Sequence, residues 1–505
     1  MYARIDSFAL VGLKATCVTI EVSIHNGLFA FGIVGLAGKS VQESRERVFS
    51  AIKNSGFEMP MKRIIVNLSP ADVVKNTSGF DLPIATAILL ATKQISRDMA
   101  DSIVWGELSL AGKTLYTRGA LAIADETKNN KKAKLLLPHI NAIEASIVAG
   151  IKIYGIRELR DYKTESSLEE PIKTMSPRAL ISGNTDGEYD FSNIKGQFFV
   201  KRAIEIACAG GHNILIQGTP GSGKTYLSKC LVSILPDMSY EEMIEVTKIY
   251  SVSGLLDKAG LVTCRPFRSP HHTSSYVALI GGGTIPRPGE VTLSHRGVLF
   301  LDEFNEFESR ALESLRQPIE DKHVNIARIG GVVNYPANFM LVAAMNPCKC
   351  GYSGDEEKPC TCSRNEIERF KHKISGPILD RIDMQIRTTK LKKEDLLQNK
   401  DEEKSLKVRE RVMNARKIQA NRFEGLGYKN VYTNADMSQK QLLHSLKIDA
   451  QAKSAMNRLL ENPALSARTY FRLLKLSRTI ADLEQDEVIQ KRHIAEAVAY
   501  RFASE

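Results

Sequence analysis

Eight residues, Gly218, Thr219, Pro220, Gly221, Ser222, Gly223, Lys224 and Thr225, constrain this 505-residue chain more than any other stretch. They read G-x-x-x-x-G-K-T, follow the short apolar run Asn213–Gln217 and precede Tyr226–Val232, whose apolar spacing suits a helix. A strand, a glycine-rich turn and a helix N-terminus in that order form a phosphate-binding loop. The glycines let backbone N–H groups point inward on an anion, and the helix adds the positive end of its dipole. Lys224 reaches the β- and γ-phosphates, and the Thr225 hydroxyl is a Mg²⁺ ligand. The expected ligand is ATP with Mg²⁺, and the expected activity is ATP hydrolysis.

Two further apolar strands end in polar side chains. Gly297-Val-Leu-Phe-Leu leads into Asp302 and Glu303, as a buried parallel strand ending at an active site does. Asp302 is expected to hold Mg²⁺ and Glu303 to polarise the attacking water. Asn338–Met345 runs into Asn346, placed to hydrogen-bond that water or the γ-phosphate. The fold class is therefore α/β, a phosphate-loop module built on buried parallel strands.

A formal charge of +11 fits a polyanionic partner, although such an excess is also common in proteins that bind no nucleic acid. Met1–Asp6 lacks the basic start and apolar core of a secretory signal, and runs such as Ile84–Ala91 are too short to span a membrane. Eight cysteines in such a chain suit a reducing compartment. The expected location is cytoplasmic, with no membrane partner.

Domain boundaries follow from composition. Residues 1–163 alternate strand-like runs (Val18–Ile24, Arg63–Leu68) with helical ones (Ser40–Ser55, Asp81–Lys93), an α+β domain. Residues 164–189 are polar and turn-rich, a linker. Residues 190–390 form the nucleotide-binding core, and 391–505 are helical, opening on a charge-rich helix whose mixed signs suit a solvated face, and resemble a helical lid with a magnesium-chelatase-like C-terminal domain.

Within the core, Cys348, Cys350, Cys360 and Cys362 fall in one short insert, 348–362, too rich in glycine, proline and acids to bury a core of its own. Four thiolates suit tetrahedral Zn²⁺, although the C-x-C spacing departs from the common C-x-x-C knuckle; reduced structural thiols and redox chemistry are the other readings. A long segment around Arg268, His271 and His272 is suited either to tracking a phosphate backbone or to a solvated connection. The two histidines should point apart in an extended chain and share no metal. Lys322–Asn334 reads as a β-hairpin around a Gly-Gly turn, with Lys322 and Arg328 either candidate DNA contacts or polar residues of a strand edge.

Several segments resemble known families. Asn67–Asp72, Gly79–Ala85 and Gly106–Gly112 resemble the ribosomal-S5-type fold of the Lon proteolytic domain. The positions matching its serine–lysine dyad are Phe80 or a neighbouring glycine, and Leu121, so the resemblance carries no peptidase site unless Ser78 is the nucleophile. The three strand ends are similar to an AAA+ module with Asn346 as first sensor. Ser375–Asp383 resembles the finger segment of magnesium-chelatase-like and minichromosome-maintenance-like AAA+ proteins, which makes Arg381 the arginine finger. Ser466–Leu474 resembles the second-sensor helix of the lid, which makes Arg468 that sensor.

With Phe267–Thr273 and Asn346–Gly351, the whole order resembles the ComM/YifB family of magnesium-chelatase-like ATPases. That resemblance implies an ATP-driven hexameric ring, a helicase or branch-migration motor on single-stranded or branched DNA in natural transformation. A chelatase-type or protein-remodelling ATPase acting through partner subunits is the alternative.

Overall fold

The structure, a computed structural model, describes every residue except 74, 76–77, 131–133, 164–169, 174–188, 257–259, 284–285, 329–330, 356, 389, 391–401, 462–465 and 502–505. Most of the expected linker, and the first residues of the expected lid, thus lie outside the described residues. The chain divides into two compact units: Met1–Ser182 with Ser239–Thr263 and Asn325–Tyr335, and Gly183–Met238 with Cys264–Val324 and Pro336–Glu505.

The first unit is built on a seven-stranded mixed sheet. Tyr2–Val11 and Lys14–His25 pair antiparallel from Tyr2↔Ser23 to Val11↔Lys14. The two-residue turn between them has Gly12 at φ 63°, which glycine reaches without strain. Side chains along Lys14–His25 alternate between core and surface, so apolar residues at every second position pin the register. Arg63–Ser69 extends the sheet on one side; Ile103–Val104, Lys134–Pro138 and Lys152–Ile156 extend it in parallel on the other. Helix Asp81–Ala91 packs on the hairpin with every residue buried except Leu90. Its buried Asp81 accepts two hydrogen bonds from Arg47, at 2.6 and 3.0 Å.

Helix Tyr240–Ser253 comes from far along the chain yet belongs to this unit. It packs on helix Ala120–Asn129, where the Tyr240 hydroxyl donates to the Ile147 carbonyl at 2.6 Å and Lys248 pairs with Asp125. The Ser251 hydroxyl donates to the buried Glu144 and accepts from the Gly119 amide at 3.0 Å.

The second unit carries a five-stranded parallel sheet in the order Phe267–Arg268, Val298–Leu301, Met340–Met345, Ile214–Gly218, Met384–Thr388. The two central acid- and amide-terminated strands are buried at every residue, as strands covered on both faces must be. Helices Phe198–Gly210, Lys224–Ile234, Ser405–Gly425 and Ala467–Leu483 share the core with the sheet. The charge-rich helix Ser405–Gly425 is not solvated all round. It buries Val408, Val412, Ala415 and Phe423, while Arg411 pairs with Glu205 and Glu403 and Arg416 donates to the Cys208 carbonyl. Among the described residues, no helix is long and apolar enough to cross a membrane.

Candidate functional site

Strand Ile214–Gly218 ends at a glycine with no room for a side chain: a Cβ on Gly218 would lie 2.4 Å from Thr388 Cγ2. Gly221 and Gly223 are required for another reason. Each adopts φ 79°, the left-handed region, with open space around it. Helix Lys224–Ile234 then begins. The Lys224 ammonium donates to the Gly218 and Thr219 carbonyls at 2.8 and 3.0 Å and to Asn346 Oδ1 at 3.2 Å, so loop, lysine and first-sensor position meet. Burial draws this ammonium below its ordinary range, against the opposing pull of Asp302 and Glu303.

The Thr225 hydroxyl donates to Asp302 Oδ2 at 2.7 Å. A hydroxyl and a carboxylate brought together at the loop are a hard, oxygen-only donor set, which fits Mg²⁺. Glu303 follows in a left-handed conformation, φ 51°, its amide donating to Asp302 Oδ1 at 2.9 Å. That turn carries its carboxylate out to His272, whose Nδ1 lies 2.9 Å from Glu303 Oε2.

The histidine pair differs from expectation. The rings of His271 and His272 lie 4.2 Å apart rather than pointing away from each other, because the segment is a turn and not an extended strand. Arg268 sits on the edge strand, paired in bidentate fashion with Glu290 at 2.6 and 2.9 Å. Lys322 has φ 60° at the start of the hairpin His323–Arg328 and Gly331–Pro336, with its ammonium 4.0 Å from Asp436. Arg328 closes the first of these strands; its side chain lies outside the described residues.

Arg381 and Arg468 come together on one carboxylate. Arg381 pairs with one oxygen of Glu320 and donates to the Pro377 carbonyl at 2.8 Å; Arg468, in the first turn of helix Ala467–Leu483, pairs with the other oxygen. Burial pushes Glu320 up, but the two guanidiniums outweigh it and hold the carboxyl below its ordinary range. Their position in the sheet is decisive. Strands Ile214–Gly218 and Met384–Thr388 are parallel, with Ile214 opposite Met384 and Gly218 opposite Thr388. Arg381 precedes Met384, and its carbonyl accepts from Asn213 at the start of the loop strand. The phosphate loop leaves at the other end, a strand length of about 13 Å away.

Sequence reasoning missed three residues here. Gln197 Nε2 donates to the Ser222 carbonyl at 3.1 Å and so braces the phosphate loop from the preceding helix. Asp383 accepts from the Asn213 amide at 2.9 Å and from Arg472 at 2.8 Å, tying the segment that carries Arg381 to helix Ala467–Leu483 one turn beyond Arg468. Burial pushes this carboxyl up, but Arg472 and His212 together hold it far below the usual range. Glu320 had no motif to mark it. None of the three has a local signature, since each is defined by a partner distant in sequence.

The four insert cysteines converge. Cys348 Sγ lies 3.3 Å from Cys350 Sγ and 3.7 Å from Cys360 Sγ, and the latter two are 3.5 Å apart. All four sulfurs lie within 4.8 Å of one another. These are non-bonded separations, far beyond the about 2.05 Å of a disulfide.

In the first unit, the positions matched to a serine–lysine dyad hold no dyad. A Cβ at Gly79 would fall 2.4 Å from Trp105 Nε1, Phe80 is fully buried, and the buried Leu121 offers only its amide, to Glu144 Oε1 at 2.9 Å. Lys75 is also fully buried, its ammonium held by the carbonyls of Gly35, Leu68 and Pro70. Burial draws this ammonium below its ordinary range, against the opposing pull of Asp72, and the three carbonyls take it up as a donor within the fold. The side chain of Ser78 lies outside the described residues.

Family models match along nearly the whole chain. The model for magnesium chelatase, subunit ChlI, matches residues 190–396; that for subunit ChlI of Mg-chelatase matches 20–141; and that for the ChlI C-terminal region matches 402–501. Competence protein ComM of Haemophilus influenzae is 39% identical over 505 residues, covering 99% of this chain and 97% of the relative. Protein YifB of Escherichia coli is 38% identical over 502 residues, covering 98% and 96%. A DNA replication licensing factor, Mcm2 of Drosophila melanogaster, is 24% identical over 206 residues, covering 38% of this chain and 20% of its own. The chain belongs to the ComM/YifB family of magnesium-chelatase-like AAA+ ATPases.

Proposed function

We propose that the protein is an ATP-driven DNA motor that works as a ring, six-membered by family analogy, and promotes the helicase or branch-migration steps that integrate incoming DNA in natural transformation. The observation that carries this reading is the sharing of Glu320 by Arg381 and Arg468. Arg381 lies just before the strand end opposite the phosphate loop and Arg468 shares its carboxylate, which favours service to another chain's triphosphate over their own. Both are therefore offered to a neighbour's, and the site is complete only between two copies. Within it, Lys224 and the loop amides bind the β- and γ-phosphates, and Thr225 and Asp302 hold Mg²⁺, which screens phosphate charge. Glu303 and Asn346 orient the attacking water, and the two guanidiniums meet the charge that develops on the γ-phosphoryl group.

A DNA substrate is supported by the net charge of +11, by the likeness to Mcm2 and by the hairpin at Lys322–Pro336. The first unit is read as an S5-type, Lon-like domain without peptidase chemistry, and the four cysteines as a structural zinc centre. The descriptions of the matched family models favour a second reading, a chelatase-type remodeller acting through partner subunits. ATP turnover and strand displacement on fluorescent forked and branched DNA separate the two. The motor reading expects turnover to rise with branched DNA and a strand to be released; turnover indifferent to DNA, with no strand displaced, overturns it.

A further inference from the structure

We propose that the four-cysteine centre is a metal buttress for the phosphate loop, so that zinc occupancy sets the affinity for ATP. This rests on the zinc reading above and extends it to a task. A tetrahedral zinc with Zn–S distances of about 2.3 Å places its sulfurs about 3.8 Å apart. The measured separations of 3.3, 3.5 and 3.7 Å already approach that edge length. Backbone amides are aimed at the sulfurs as well: Cys350 N–H donates to Cys362 Sγ at 3.4 Å and Ser353 N–H to Cys348 Sγ at 3.3 Å. Such N–H donors stabilise thiolates and fix their direction.

The centre is joined to the nucleotide site at two points. Cys348 is fully buried and lies two residues beyond Asn346, which accepts from Lys224 at 3.2 Å. The loop between Cys348 and Cys360 turns back at Gly351, φ 88°, and there its backbone rests on the phosphate loop. A Cβ at Gly351 would lie 2.6 Å from Pro220 Cγ and 2.7 Å from Pro220 Cδ. The outer side of the loop is held by Lys390, which pairs with Asp355 at 3.0 Å and sits over the Tyr352 ring at 5.4 Å. The insert has almost no apolar core, so these attachments keep their geometry only if something cross-links the four sulfurs. Zinc supplies that cross-link. Without it, the surface behind Pro220 is lost, and the loop must order itself when it binds phosphate, which lowers affinity.

The test is metal analysis of the full chain purified without added zinc, with titration of a fluorescent ATP analogue in Mg²⁺. The expected result is about one zinc per chain. Cys360→Ser should lose it and bind the analogue about tenfold more weakly, while far-ultraviolet circular dichroism is unchanged. A chain without zinc overturns the metal reading and the buttress together. Zinc loss with unaltered affinity overturns the buttress alone. Should Cys360→Ser fail to fold, Pro220→Ala decides: it is expected to keep zinc and still bind more weakly, and unchanged affinity rejects the proposal.

Discussion

Nδ1 of His272 lies 2.9 Å from Oε2 of Glu303, so the proposed water-orienting carboxylate is held by a residue of the loop that precedes its strand. Glu303→Gln should retain ATP binding and lower turnover by about 10²–10⁴-fold, the range for loss of a positioned general base. His272→Ala releases the carboxylate without removing it. The expected outcome is a few-fold rise in turnover without DNA and a smaller stimulation by DNA, measured by phosphate release; a collapse matching that of Glu303→Gln would falsify the holding role.

The placement of Arg381 and Arg468 on Glu320 predicts complementation between chains. Arg381→Ala and Lys224→Ala should each be inactive alone, the first by about 10³-fold or more, as for loss of an arginine finger. Mixed in equal amounts, the two variants should recover measurable turnover, because an intact loop from one meets an intact finger from the other. A mixture no more active than its components rejects catalysis across subunits.

Asp383 should be a stability residue with an activity consequence. Arg472 and His212 hold its carboxyl far below the ordinary range, so it is charged across the whole working pH range. Its contribution is present above the ordinary carboxylate pKa and fades only as pH falls through its depressed value in the folded state. Asp383→Asn leaves Arg472 and His212 facing an uncharged amide in a buried site. The expected cost is about 3–5 kcal/mol in chemical denaturation at pH 7, with a lower melting temperature for the nucleotide-binding unit.

Glu144 behaves in the opposite sense. Burial pushes its carboxyl up, despite hydrogen bonds from Ser251, the Leu121 amide and the Asn141 side chain. Its contribution is therefore fully present at low pH and is lost as pH rises through the raised value. Glu144→Gln keeps the acceptor for the Ser251 and Leu121 bonds and removes the buried charge. A melting temperature that rises by a few degrees at pH 8, with little change at pH 5, is expected from scanning calorimetry; an equal shift at both pH values shows that the carboxyl does not titrate in the folded chain.

That the motif residues of the candidate nucleotide site lie together was legible in the chain because its parts are local. Gly218–Thr225, Asp302, Glu303 and Asn346 are each placed by a strand end, and parallel strands in one sheet bring their ends to one edge whatever the rest of the chain does. The cysteine cluster was legible for a similar reason, since its four thiols lie within one short insert. The histidine pair was misread because an isolated dipeptide says nothing about whether its backbone is extended or turned. The charge-rich helix Ser405–Gly425 was half read: its composition shows the solvated side, but not that Val408, Val412 and Phe423 enter a core formed by distant helices.

The sequence by itself determined the chemistry: a phosphate loop, an acid pair, an amide sensor, two candidate arginines and four thiols. Tertiary structure alone decided where those groups face. It put Arg381 and Arg468 on Glu320, His272 on Glu303, and Gly351 against Pro220. The reason is physical. Strand ends and glycine turns follow from forces acting over a few residues, whereas an ion pair or a packed contact between residues tens to more than a hundred positions apart exists only once the core has closed around the elements that carry them.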